Sequence, residues 1–137
     1  MGSGMVGNLL KKGYSVIAYN RTKVNFKHEN LSIVDYPKDT CEADIIFLCV
    51  SNDKAVDDVL FGDEGVFTKI TKKNTLVDCS TTSVELTEKI LHECKKKNVE
   101  FLDAPLTGSK LAAETGSLIF MVGGSKHILD KFEQVFL

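Results

Sequence analysis

Short apolar runs alternate with amphipathic stretches along the whole chain. Six of the runs are rich in β-branched or aromatic residues and are bounded by turn residues, which predicts strands: YSVIAYN, LSIVDY, DIIFLCV, NTLVDCS, VEFLDAP and SLIFMVGG. Several of them are apolar at consecutive positions, a pattern typical of parallel strands that are buried on both faces.

Helical patterns fill the intervals between these runs. The clearest helix begins at Ser83, a favourable N-cap residue, and carries an apolar stripe on one face. The predicted helices cover Gly2–Lys12, Lys23–His28, Asp53–Leu60, Ser83–Lys97 and Ser125–Phe136. This alternation of strands and helices predicts an α/β fold, with a mainly parallel sheet and helices on both of its faces.

The length, charge and cysteine content of the chain limit the classes of function that it could have. A length of 137 residues suits one domain, and a net charge of −2 gives no reason to expect nucleic acid or an anionic membrane as a partner. No apolar run is long enough to span a bilayer and no signal-peptide pattern is present, so we expect a cytoplasmic location by default, or an organelle if a leader precedes the chain. The four cysteines lack C-x-x-C spacing and no His/Cys cluster occurs, which indicates free thiols and no metal site.

The stretch MGSGMVG contains a literal G-x-G-x-x-G, the pattern of a dinucleotide phosphate loop. If that spelling were the loop, its helix would begin near Gly7 and end at Gly13, too short to cross a sheet. If Gly2 is instead the last glycine of the loop, a helix of normal length runs to Lys12. We therefore expect the chain to start partway through the loop, without the preceding strand and the first two glycines.

Polar and small residues follow two of the predicted strands, at the end where parallel sheets bind ligands. Asn20, Arg21 and Thr22 supply hydrogen-bond donors and a positive charge, which favour the 2′-phosphate of NADP over NAD. The alternative is that Arg21 is a solvated turn residue. Small residues after the third strand would let a dinucleotide approach the backbone, although an ordinary strand-to-helix turn looks similar: Cys49, Val50, Ser51 and Asn52.

These segments together resemble the β-hydroxyacid dehydrogenases, the family that contains 3-hydroxyisobutyrate dehydrogenase, 6-phosphogluconate dehydrogenase and glyoxylate/succinic semialdehyde reductase. Met1, Gly2, Met5, Leu9 and Gly13 fall at the spacings of that family's first helix. The resemblance continues through DIIFLCVSNDKAVDDVLFG and LVDCSTTS. It ends in DAPLTGSKLAAETGSLIFMVGG, which looks like the family's substrate-side signature.

The resemblance implies a Rossmann-like domain that binds NADP, with NAD as the alternative. The cofactor-binding residues it implies are Met1, Gly2, Asn20, Arg21, Thr22, Cys49, Val50, Ser51, Asn52, Ser80 and Thr81. Helix capping by Thr82 or Ser83 is the alternative role for the segment after the fourth strand. Thr107, Gly108 and Ser109 would contact a substrate carboxylate, because a glycine-containing turn before a helix suits an anion.

In this family a lysine in a K-x-x-x-N motif is the general acid/base, and this chain has no such motif. The resemblance therefore assigns no catalytic residue here and interprets residues 1–137 as an incomplete dinucleotide-binding domain, without the helical domain and inactive by itself. The parent enzyme would be a homo-oligomer that transfers hydride between NADP(H) and a small 3-hydroxy acid or aldehyde acid. A non-catalytic NADP-binding or interaction module is the alternative function.

Overall fold

The computed structural model describes residues 1–137 as a set of short helices and strands. The helices are α1 (Gly2–Lys11), α2 (Asp53–Phe61), α3 (Val84–Lys97), α4 (Lys110–Thr115), α5 (Lys126–Lys131) and α6 (Glu133–Phe136). The strands are β1 (Val16–Tyr19), β2 (Leu31–Val34), β3 (Ile45–Leu48), β4 (Thr75–Asp78), β5 (Glu100–Asp103), β6 (Leu106–Thr107), β7 (Ile119–Phe120) and β8 (Gly123–Gly124). The 3₁₀ helices Pro37–Glu42 and Val66–Thr68 precede β3 and β4.

The central sheet has the strand order β3-β4-β5-β8. Its first three strands are parallel, and their register places Leu48 beside Asp78 and Asp78 beside Asp103. β8 pairs antiparallel with β5. β1 and β2 form a separate parallel pair, and β6 and β7 form an antiparallel hairpin. The carboxyl ends of β3, β4 and β5 therefore meet at one edge of the central sheet.

Successive residues of β4 pack into two different apolar clusters. Leu76 belongs to an apolar cluster that also contains Val56 and Leu60 of α2 and Ile90 of α3. Its neighbour Val77 belongs to a second cluster, which also contains Leu102 of β5 and Ile128 of α5 and against which residues of β3, β6, β7, α1 and α6 pack. Because successive side chains of a strand point to opposite faces, helices cover both faces of the central sheet. The predicted α/β fold is confirmed.

Helix α1 begins at Gly2, as the second interpretation of the glycine pattern predicts. It ends just before Gly13, whose φ of 84° is the left-handed conformation that favours glycine. α1 contacts β1, and its Met5 packs against the cluster that contains Phe47 of β3. β1 pairs only with β2, and within the central sheet β3 pairs only with β4. β1 and β3 therefore each have one edge without a strand partner.

Three predictions of secondary structure are wrong. Residues 23–28 form no helix, because this short segment is exposed throughout and has no core to pack against. The run SLIFMVGG does not form one strand: β7 pairs with β6, and β8 pairs with β5. The predicted last helix is divided into α5 and α6 at Phe132, whose φ of −116° and ψ of 15° lie outside the helical region.

None of the six helices has both the length and the apolar character that a bilayer-spanning segment requires. All four cysteines are free. No three side chains of the metal-ligating types His, Cys, Asp and Glu come together in a group that could hold a metal ion.

Candidate dinucleotide-binding site

The ends of β3 and β4 are joined by a hydrogen bond between two of the predicted cofactor-binding residues. The Val50 backbone N–H donates to Ser80 Oγ over 3.1 Å, and Ser80 is 3% exposed. One residue earlier, the Cys79 N–H donates to the Leu48 carbonyl oxygen over 2.7 Å. The strand pairing thus continues beyond the last ladder residues and holds the two loops side by side.

The amino end of α1 lies against the end of β3. Burial raises the pKa of the Cys49 thiol, while the nearby Gly2 backbone N–H acts in the opposite direction. The first turn of a helix has N–H groups without intrahelical acceptors, so this end of α1 can bind an anion. A Cβ atom added to Gly2 would meet no atom within 4 Å, which leaves the approach to these donors open.

Two residues of the loops cap the helices that follow. Asn52 Oδ1 accepts a hydrogen bond of 2.9 Å from the Ala55 N–H in α2. Ser83 Oγ accepts a hydrogen bond from the Leu86 N–H in α3 over 3.3 Å. This is the helix-capping role that the sequence gives as the alternative for this segment. Ser51 and Thr81 are exposed. Both residues therefore lie at the surface beside the Val50–Ser80 connection.

The segment after β1 is exposed in full. Asn20 Nδ2 donates to the Thr22 carbonyl oxygen over 2.6 Å, which closes a tight turn around Arg21. Arg21 forms no salt bridge with a carboxylate of the chain. The guanidinium is available to an external anion such as a phosphate.

The predicted substrate-binding turn follows β6. Gly108 has a φ of 143°, and a Cβ atom there would lie 2.9 Å from Leu118 Cδ2, so this turn requires glycine. Ser109 Oγ accepts a hydrogen bond of 3.1 Å from the Ala112 N–H and caps α4. Thr107 is exposed. The two hydroxyl groups and the turn are positioned at the surface, where a small anion can reach them.

Helix α4 attaches this turn to α1. Asn8 Nδ2 donates to the Ala113 carbonyl oxygen over 2.6 Å, a contact between residues far apart in sequence. A Cβ atom on Gly4 would lie 2.7 Å from the Ala113 carbonyl carbon, so α1 and α4 pack backbone against backbone. Gly4, one of the glycines in the literal G-x-G-x-x-G pattern, is therefore needed for the packing of α1 against α4. Sequence reasoning missed this contact because nothing in the sequence links Gly4 to Ala113.

Sequence reasoning also missed a pair of carboxyl groups at the same sheet edge. Asp78 is fully buried and its Oδ1 accepts from the Ser80 N–H over 2.9 Å, whereas its Oδ2 has no hydrogen-bond partner. Burial raises the pKa of Asp78, and the adjacent Asp103 raises it further. Burial also raises the pKa of Asp103. The sequence does carry a signal for this pair, because each of two successive apolar runs ends in an aspartate.

Asp78→Asn is expected to stabilise the chain at pH 7 by about 1 kcal/mol, because an amide retains the Ser80 contact and can donate to Asp103. A raised pKa means that the folded state binds the proton more tightly, so the contribution of Asp78 to stability declines as pH rises from below its ordinary pKa through its raised value. Urea unfolding from pH 3 to pH 8 should show the advantage of the variant shrinking as pH falls. An advantage that is constant with pH would contradict the assignment.

Comparison with known proteins places the chain in a family. Residues 1–137 match the family model described as the NAD binding domain of 6-phosphogluconate dehydrogenase. An uncharacterized oxidoreductase of Shewanella frigidimarina is 34% identical over 140 residues, covering 98% of this chain and 48% of that protein. The probable 3-hydroxyisobutyrate dehydrogenase-like 3, mitochondrial, of Arabidopsis thaliana is 33% identical over 135 residues, covering 95% of this chain and 42% of that protein.

Solved structures share the fold. Psf3 in complex with NADP+ and 2-OPP has a TM-score of 0.87 at 20% identity, with 99% of this chain and 50% of that chain covered. The chain spans about half the length of these two curated relatives. It belongs to the family of the NAD binding domain of 6-phosphogluconate dehydrogenase, and it is an NAD(P)-binding domain of the type found in β-hydroxyacid dehydrogenase-like oxidoreductases.

Proposed function

We propose that this chain is the cofactor-binding part of an NADP-dependent oxidoreductase. The reaction would be hydride transfer between NADP(H) and a small 3-hydroxy acid or aldehyde acid, such as glyoxylate, succinic semialdehyde or a 3-hydroxyisobutyrate-like acid. The observation that carries the proposal is the convergence of Gly2, the Val50–Ser80 hydrogen bond and the exposed hydroxyls of the loops at one sheet edge. Ligands of parallel sheets bind at this edge.

The donors at this edge fit a dinucleotide. The free N–H groups at the start of α1 suit a pyrophosphate, and small residues in the loops after β3 and β4 leave room for sugar hydroxyls. We assign cofactor binding to Met1, Gly2, Asn20, Arg21, Thr22, Cys49, Val50, Ser51, Asn52, Ser80 and Thr81. The bound nicotinamide supplies or accepts the hydride. These residues bind and orient the cofactor and take no part in proton transfer.

The turn formed by Thr107, Gly108 and Ser109 is proposed to hold the substrate carboxylate through hydroxyl and backbone N–H donors. The oxyanion of the reduced carbonyl also needs a proton donor. No K-x-x-x-N motif occurs in the chain, and we assign that role to no residue here. The 137-residue chain is expected to bind NADPH without oxidising it when glyoxylate or succinic semialdehyde is added. Steady NADPH oxidation would contradict this part of the proposal.

Arg21→Asp tests the preference for NADP. We expect the affinity for NADPH to fall by about tenfold, because a charge-assisted contact with the 2′-phosphate is lost, and the affinity for NADH to change little. Lys23→Asp is the matched control, since Lys23 is also exposed and the charge change is the same. Fluorescence titration of both nucleotides measures the four affinities. Equal losses for NADPH and NADH in Arg21→Asp would reject the assignment.

A non-catalytic module remains the second candidate because β1 and β3 each have an unpaired edge that could bind another chain. The two functions share nucleotide binding and differ in turnover when the chain is part of the longer protein. A folded, monomeric chain without affinity for NADPH would contradict both. We propose that the protein is cytoplasmic by default, or organellar if a leader precedes the chain, and that the whole enzyme is a homo-oligomer.

A further inference from the structure

We propose that Cys49 and Cys79 form a redox-active thiol pair, which a hydroperoxide oxidises to a reversible disulfide at the cofactor-binding edge of the sheet. The pair consists of the residues that directly follow β3 and β4. The free chain is expected to form this disulfide without any nucleotide present.

The strand register brings the two cysteines together. Leu48 is paired with Asp78, and the Cys79 N–H donates to the Leu48 carbonyl oxygen over 2.7 Å, so the next residues also lie opposite each other. Neighbouring strands are about 4.8 Å apart, which is within the range of about 4.4–6.8 Å that Cα atoms of a disulfide occupy. Both side chains contribute to the same apolar cluster, so they lie on the same face of the sheet.

The other two cysteines serve as an internal comparison. Cys41 lies in the 3₁₀ helix Pro37–Glu42 and Cys94 lies in α3. Both belong to or contact the apolar cluster on the opposite face of the sheet. Cys94 is 1% exposed and Cys79 is 4% exposed, whereas Cys49 is partly exposed. Burial alone therefore does not separate Cys79 from Cys94. Only Cys79 has a more accessible thiol beside it in the strand register.

The oxidation proceeds in two balanced steps. The Cys49 sulfur attacks one oxygen of the hydroperoxide, the O–O bond breaks, and with hydrogen peroxide the products are a sulfenic acid and water. The Cys79 sulfur then attacks the Cys49 sulfur, the S–S bond forms, the S–O bond breaks, and a second water leaves with the thiol proton. The two thiols lose two electrons, which reduce the peroxide. A dithiol reductant reverses the reaction by exchange.

The first step is assigned to Cys49 because it is the more accessible of the two thiols. Burial raises the pKa of both thiols, and at Cys49 the Gly2 backbone N–H acts against that rise. Cys49 also adjoins the Val50–Ser80 hydrogen bond. A disulfide there would tie together the two loops that form the candidate cofactor site. If the proposed function is correct, a bound dinucleotide covers Cys49.

The experiment treats the 137-residue chain with hydrogen peroxide, alkylates the remaining thiols and identifies disulfide-linked peptides by mass spectrometry. We expect a Cys49–Cys79 linked peptide, reversible with dithiothreitol, while Cys41 and Cys94 remain alkylated. Cys49→Ser should abolish the linkage and leave Cys79 as a thiol. Oxidation of Cys49 to a sulfinic acid with Cys79 still reduced would overturn the proposal, as would equal linkage through Cys41 or Cys94.

A second arm, which rests on the proposed function, repeats the oxidation with NADP+. At ten times the dissociation constant, NADP+ should slow disulfide formation by about tenfold, because the free fraction falls by that factor. A disulfide that forms at the same rate with NADP+ would contradict the placement of the cofactor over Cys49 and leave the thiol pair established. Absence of the Cys49–Cys79 linkage in the first arm would reject the thiol pair itself.

Discussion

Gly4→Ala should destabilise the folded chain by about 2 kcal/mol, although alanine is the better helix former. The added Cβ atom would lie 2.7 Å from the Ala113 carbonyl carbon and 2.8 Å from its carbonyl oxygen. These are backbone atoms, so α4 must move away from α1. That movement also strains the hydrogen bond from Asn8 Nδ2 to the same carbonyl, which is 2.6 Å long.

Gly7→Ala is the matched control for this prediction. Gly7 lies in the same helix, one turn further on, and a Cβ atom there would meet nothing within 4 Å. Relief of the entropic disadvantage of glycine should therefore stabilise the chain by up to about 1 kcal/mol. Urea unfolding of the two variants beside the unmodified chain measures the difference. If both substitutions stabilise the chain, the close packing of α1 on α4 is incorrect.

Ser80→Ala should destabilise the chain by about 2 kcal/mol, because a buried connection between the ends of β3 and β4 is lost. The Val50 N–H loses its acceptor, which is 3.1 Å away in the folded chain. The hydroxyl of Ser80 also lowers the pKa of Asp78, against the rise that burial causes. The variant therefore loses one group that stabilises the charged form of this buried carboxyl. Nucleotide affinity should fall as well, because both loops carry proposed cofactor-binding residues.

Thr81→Ala separates the structural effect from the binding effect. Thr81 is adjacent to Ser80 but is exposed. Its substitution should leave the free energy of unfolding within about 0.5 kcal/mol and still weaken NADPH binding. Thermal or urea unfolding, combined with nucleotide titration, distinguishes the two residues. Equal stability of Ser80→Ala and the unmodified chain would show that the Val50–Ser80 bond contributes little to the fold.

Much of the sheet and of α1 could be predicted because local signals and tertiary packing agree there. Runs that are apolar on consecutive positions became the central parallel strands, and Ser83 caps α3 as expected. The start of α1 at Gly2 could be predicted because a helix that begins at Gly7 and ends at Gly13 would be too short to cross a sheet. By contrast, Lys23–His28 contains a helical pattern without a core to bury it, so pattern alone misled the prediction.

The candidate site was only partly visible in the sequence. Its loops could be located, because parallel strands end where ligands bind. The contact between Gly4 and Ala113 could not be predicted, since it depends on how α4 packs on α1. The pairing of Asp78 with Asp103, and the proximity that we infer for Cys49 and Cys79, depend on strand register, which apolar runs without alternation leave undefined.

Calorimetric titration of the folded 137-residue chain with NADPH and, separately, with NADH tests the dinucleotide-binding site most directly. We predict that one NADPH binds per chain, that NADH binds more weakly, and that Thr81→Ala weakens NADPH binding without unfolding the chain. A chain that is folded by circular dichroism and binds neither nucleotide would contradict the assignment of a dinucleotide-binding site to these loops.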